Sequence, residues 1–301
     1  MIRHRRFLLF LVAGVFCIAL FAACSDSQDY AELPTHRILL VFVIEIVADF
    51  QNPQSPGEFV AINHRLSELE KQIGVLTARH MQSYLNDMLD GIVTFEVDYF
   101  FTTEPVTTGL IFAYEIPGLA EIFRDYDAVI TSTSVGKDYN HALGNLNNHM
   151  IMGGWVSFSD HKHAWVNIDV LTVTQNWAMP TPFREARLAN FEAMLNLDEN
   201  DMLWQRLLHV YIHEFVHTAG FRVYDTLGGL ESDMFHEVLF QFPQATIDQY
   251  DVVHENYYWL SHLEAARLYL RDEAQYRGRG VGIPREFWYN PHGFRDFRHG
   301  F

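Results

Sequence analysis

The ten residues Ile38 to Val47 (ILLVFVIEIV) carry one charge and are otherwise apolar, mostly β-branched or aromatic. A strand with one wet face alternates polar and apolar residues. A run this continuous needs cover on both faces, as in the centre of a sheet flanked by helices. The residues that follow supply such cover. From His64 to Leu89, apolar side chains recur at helical spacing (Leu66, Leu69, Ile73, Leu76, Met81, Leu85, Met88, Leu89) and the pattern stops at Gly91, a residue suited to ending a helix.

The same reading extends along the chain. Ile92 to Phe101 and Ala128 to Thr131 read as strands, with a short helix between them at Ile116 to Tyr126. Trp155 to Phe158 and Ala164 to Val170 read as a hairpin joined by Ser-Asp-His-Lys, starting at Gly153-Gly154. Two helices follow, Arg184 to Leu197 and Met202 to Ala219. The acidic segment Asp198 to Asp201 sits where it complements the dipole of the second. Ile247 to Arg271 reads as a last long helix. The order predicts an α+β (α/β-like) fold: a mixed twisted sheet, a long helix beneath it and a smaller, mostly helical C-terminal lobe.

The N-terminus speaks to compartment. Arg3, Arg5 and Arg6 precede an uncharged stretch from Phe7 to Ala23, the pattern of a secretory signal. It ends in Phe21-Ala22-Ala23-Cys24, which resembles the bacterial lipobox, with Cys24 as the residue to be acylated. The expected organisation is a signal peptide over 1–23, a tether over 24–36, an N-terminal subdomain over 37–220 and a C-terminal subdomain over 221–301. The folded part is then extracytoplasmic and held on a membrane by lipid; an uncleaved anchor is the other reading. Cys17 leaves with the signal and Cys24 carries lipid, so no disulfide is expected. The formal net charge of −17 argues against nucleic acid as a partner, because phosphate binding needs clustered cations.

Chemistry concentrates in His213-Glu214-Phe215-Val216-His217. On a helix, residues i and i+4 stack with Cβ atoms roughly 6 Å apart, so both imidazoles can reach one zinc ion. Glu214, beside that face, is placed to act as general base on water. The residues before the motif (Leu203, Leu207, Leu208, Val210, Tyr211, Ile212) are apolar, so the helix belongs to the core. Burying two His and a Glu there costs free energy unless something satisfies them, and a metal does so. The plainer reading is a helix with solvent-facing histidines.

With Gly220 added, the segment resembles the metzincin clan of zinc metallopeptidases, whose pattern is H-E-x-x-H-x-x-G-x-x-H followed by a Met-turn. Ser232-Asp233-Met234-Phe235 resembles that turn, with Met234 as its methionine. The resemblance covers roughly Arg37 to Arg271. It implies a zinc cofactor held by His213 and His217, Glu214 as catalytic base, and a protein or peptide substrate. It also implies that Gly153 to Phe158 lies near the antiparallel edge strand along which substrate binds. The third-ligand position of the pattern holds Val223, which cannot bind metal. Asp225 is the first substitute and Glu231 the second, with His236 and Glu237 behind them.

Several other groups have alternative readings. Asp160-His161-Lys162-His163 is a second metal site or a solvated hairpin turn. Tyr224, Tyr257 and Tyr258 are candidates to donate to an oxyanion. For the whole chain, the competing function is a non-catalytic lipoprotein that binds zinc or a partner on a metzincin-like fold. Glu214 favours the enzyme, since a zinc carrier has no need of a base between its ligands.

Overall fold

The computed structural model describes residues 32–51, 59–107, 112–133, 154–156, 162–167, 183–220, 223–226, 230–233, 263–276, 278–280 and 282–290. Residues 34–301 belong to one compact unit.

Its centre is a five-stranded sheet. Strand β1 (Thr35–Phe42) lies between β4 (Thr94–Phe101) and β5 (Ala128–Thr133), parallel to both. Strand β7 (His163–Asn167) extends the sheet in parallel beyond β5, and β6 (Gly154–Val156) closes that edge antiparallel to β7. The order is thus β4-β1-β5-β7-β6, a mixed α/β sheet with four parallel strands.

The apolar run at Ile38 is explained by burial on both faces. Ile38, Leu40 and Phe42 join one core cluster, whereas Leu39, Val41 and Val43 join another. The first cluster lies under the helices. The second is covered by two 3-10 turns, Ala113–Glu115 and Ile122–Asp125, through Ala113, Ile116, Leu119 and Phe123. The α-helix expected over Ile116 to Tyr126 is therefore absent. Pro117 and Gly118, the latter at φ +82°, interrupt it.

A second difference concerns the length of the first strand. The chain leaves the sheet after Phe42, and β2 (Glu45–Gln51) pairs antiparallel with β3 (Phe59–Arg65) in a separate ribbon. Two hydrogen bonds hold the chain at the exit: Val43 N–H donates to Ser132 O (3.0 Å) and Ile44 N–H to the Thr102 side-chain hydroxyl (3.0 Å). Hydrophobicity continues across the junction, so the pattern alone does not reveal the change of partner.

Helix α1 (Glu68–Met88) starts four residues later than His64 because Ser67 caps it. Glu70 N–H donates to Ser67 Oγ (3.3 Å), and Glu70 returns a carboxylate oxygen to Ser67 N–H (2.6 Å). The helix ends before Gly91, which takes φ +73°. Helix α2 is Phe183–Met194 and helix α3 is Met202–Gly220.

After α3 come the ribbon β8 (Val223–Thr226) and β9 (Leu230–Asp233), and then a helix over 263–270, α4. A two-residue pair, β10 (Gln275–Tyr276) with β11 (Arg279–Gly280), and the short α5 (Arg285–Tyr289) complete the description. Of the long helix expected over Ile247 to Arg271, residues 247–262 lie outside the described residues. Leu263, Tyr269, Leu270, Phe287 and Trp288 share the core cluster of β1 and α1. Trp288 donates through Nε1 to Leu270 O (3.2 Å), and His36 Nε2 donates to Trp288 O (2.9 Å). The final segment is thereby tied to the first strand.

Candidate metal centre

Helix α3 shows why its sequence is so apolar. Trp204, Leu207, Leu208, Tyr211, Ile212, Phe215, Val216 and Ala219 recur every three or four residues, and each is at most 1% exposed. This stripe packs α3 against β5, β6 and β7. The N-terminal end is pinned to α1. Glu199 accepts from Ser83 Oγ (2.8 Å) and from His80 Nδ1 (3.0 Å), and the His80 ring stands edge-on to Trp204 at 4.4 Å. These bonds, Ser83's first and then that of His80, hold the Glu199 carboxyl below its ordinary pKa. Asp201 accepts from Leu203 N–H (2.9 Å) and so caps the start of α3.

With α3 fixed in this way, His213 and His217 present their Nε2 atoms to each other at 3.0 Å, their rings crossing at 77°. Two imidazole nitrogens on one tetrahedral zinc lie about 3.3 Å apart, from bond lengths of about 2.0–2.1 Å. The pair therefore fits a shared zinc with an opening of a few tenths of an ångström. His217 and Glu214 are each 4% exposed, and His213 is half-buried. Solvent-facing does not describe His217, which is in the interior with Glu214, whereas His213 keeps part of its surface exposed.

The ribbon beginning three residues after Gly220 carries both acid candidates. Its register sets Asp225 opposite Glu231, with Val223 opposite Asp233 and Tyr224 opposite Ser232. The first and second choices for a third ligand thus occupy one rung of the backbone ladder, and their side chains lie outside the description. Among the described residues no group of three His, Cys, Asp or Glu side chains is gathered round a point. Cys24, Met234, His236, Glu237, Tyr257, Tyr258, Asp160 and His161 lie outside the described residues. No described helix is long and apolar enough to cross a membrane.

Of the segment Asp160-His161-Lys162-His163, read as a second metal site or a solvated turn, only Lys162 and His163 are described, and His163 is not solvated. It is the first residue of β7, 5% exposed, with its ring edge-on to Tyr114 (5.0 Å) and Phe123 (5.5 Å). Lys162 donates to Phe123 O (2.7 Å). Strand pairing with β5 draws His163 onto the sheet, and Val129 N–H donates to Lys162 O just before it (2.9 Å), which residue type alone does not foretell.

The chain matches no family model, no curated protein and no solved structure.

One contact near the centre escapes motif reading. Tyr211, fully buried, meets Ser132 Oγ of β5 through its hydroxyl at 2.8 Å. Burial pushes its pKa far above the usual phenol value, so it stays neutral. A tyrosine in the buried stripe of a core helix is the signal available in the sequence, because its hydroxyl needs a partner there. Nothing local names Ser132 as that partner.

Proposed function

We propose that the chain is a zinc-dependent peptidase of metzincin-like build, acting on proteins or peptides outside the cytoplasm. One observation carries the reading: two Nε2 atoms 3.0 Å apart on a core helix, with a buried glutamate between them in sequence. His213 and His217 would hold the metal, with Asp225 first and Glu231 second as the acid completing the set. Bound there, zinc supplies a Lewis acid that polarises a carbonyl and lowers the pKa of water to about 7. Glu214 then has the role of general base, accepting a proton from water as it attacks and passing it to the departing amine.

The sheet supports the same reading. The metzincin resemblance implies an antiparallel edge strand around residues 153–158, and β6 stands antiparallel at the edge, outside four parallel strands. It lies against α3, so a chain added along it would pass near the helix that bears the histidines. By the same proposal the protein is exported and held to a membrane through lipid on Cys24.

The test is metal content. Purified protein reconstituted with zinc should retain about one ion per chain after gel filtration, with His213→Ala or His217→Ala abolishing retention. Stoichiometric zinc in the double variant would refute the site.

A further inference from the structure

We infer that Tyr211 is a positioning residue for the metal centre: its bond to Ser132 sets the rotation of α3 about its axis, and so the aim of His213 and His217. The inference rests on the zinc reading above.

Two kinds of contact act on α3 and constrain it differently. The apolar stripe of α3 holds the helix on the sheet by burial, and burial is not directional. The bonds of Glu199 and Asp201 pin only the N-terminal end of α3, well before His213; a stretch held by burial alone can turn a little with small changes in packing. At 100° per residue, Tyr211 lies about 200° round the axis from His213 and about 240° from His217. The phenol is therefore across the helix from the imidazoles and points into the sheet. A rotation of 10° moves a nitrogen some 6 Å from the axis by about 1 Å, beyond the tolerance of a metal site. A hydrogen bond of 2.8 Å resists such a rotation, because it weakens steeply with angle.

Ser132 is a firm point of attachment. Its residue pairs in register with Phe42 of β1 on one side and Val166 of β7 on the other, and its carbonyl accepts from Val43 N–H. The next residue, Thr133, accepts from Trp165 Nε1 at 2.7 Å, joining β5 to β7 by side chains as well. Both partners of the Tyr211 contact are interior, at 0% and 2% exposure, so water does not compete for it. A hydroxyl deep in the sheet thus refers the helix to its central strands.

The experiment measures zinc affinity by chelator competition and the visible spectrum of the cobalt-substituted protein, for wild type, Tyr211→Phe, Ser132→Ala and the double variant. Phenylalanine keeps the ring and its packing, so Tyr211→Phe should fold. We expect zinc affinity to fall roughly tenfold in each single variant, about the most that one lost neutral hydrogen bond can transmit to the site. The double variant should fall no further than the singles, since one bond is lost in all three. The cobalt spectrum should change as the ligand angles relax. A merely structural role would lower the melting temperature and leave affinity and spectrum unaltered. Affinities within twofold of wild type in both singles, with the cobalt spectrum intact, would overturn the inference and leave the zinc site standing. Absence of zinc binding by wild type itself would overturn both. Ser132→Ala, a change of one oxygen, gives the answer independently should Tyr211→Phe not fold.

Discussion

Strand β4 is an edge of the sheet, and the helix packed beside it closes part of that edge with two amide side chains. Asn86 accepts from Phe95 N–H (2.7 Å) and donates to Phe95 O (3.2 Å); Gln82 accepts from Val97 N–H (2.9 Å). Phe95 and Val97 are 0% and 8% exposed, so water is poorly placed to replace these partners. Asn86→Ala leaves a buried backbone donor and weakens an acceptor. An orphaned buried group costs about 1–3 kcal/mol, and the carbonyl adds less because it keeps a lone pair in reserve. The expected loss is about 2–3 kcal/mol. In a unit of this size that lowers the melting temperature by about 4–6 °C. Gln82→Ala removes one bond and should cost about half as much. Urea denaturation followed by far-UV circular dichroism gives both values, with the m-value as a check that the transition keeps its character. Asn86→Ala within about 0.5 kcal/mol of wild type, or Gln82→Ala the more damaging, would show that the amides do not carry the edge.

Three further outcomes are expected. Glu214→Gln keeps size and polarity, so zinc content and melting temperature should hold while hydrolysis of a broad peptide library falls roughly 10²- to 10⁴-fold; equal cutting by both proteins would place the activity elsewhere. Gly282→Ala should be severely destabilising, because a Cβ there would lie 2.5 Å from Asp272 Cα and 2.7 Å from Tyr269 O, both backbone atoms; thermal unfolding close to wild type would show that the 269–283 segment rearranges freely. Cys24→Ser should abolish acylation, read by intact mass and membrane fractionation, and unchanged fractionation with unchanged mass would point to a plain membrane anchor.

The pair His213 and His217 illustrates how far residue order reaches. An i, i+4 spacing is a property of the helix alone, and the apolar stripe from Trp204 to Ala219 announces both the helix and its buried side. His213 and His217 could therefore be brought together on paper before any packing was known. The acids proposed to complete the site are a different kind of question. Asp225 and Glu231 come to one rung through the pairing of β8 with β9, and hydrophobic spacing carries no information about which residues of a short polar segment lie opposite each other. Tyr211 stands between these cases: its need for a partner is local, whereas Ser132 is 79 positions away.

The sequence by itself determined a buried strand beginning near Ile38, the helix that ends before Gly91, an antiparallel pair beginning near Gly153-Gly154 and the helix bearing His213, Glu214 and His217. Each follows from periodicity, capping or turn chemistry within a few residues, where the backbone has few choices. Only the tertiary structure decided that the apolar run breaks after Phe42 to join a second ribbon, since Thr102 and Ser132 hold the chain at that exit. It alone decided that His163 is enclosed by Tyr114 and Phe123 rather than exposed in a turn. It also set the order β4-β1-β5-β7-β6, which leaves β6 antiparallel at the edge beside α3. Those outcomes depend on which distant groups meet, and a preference for burial is indifferent to the identity of the partner that provides it.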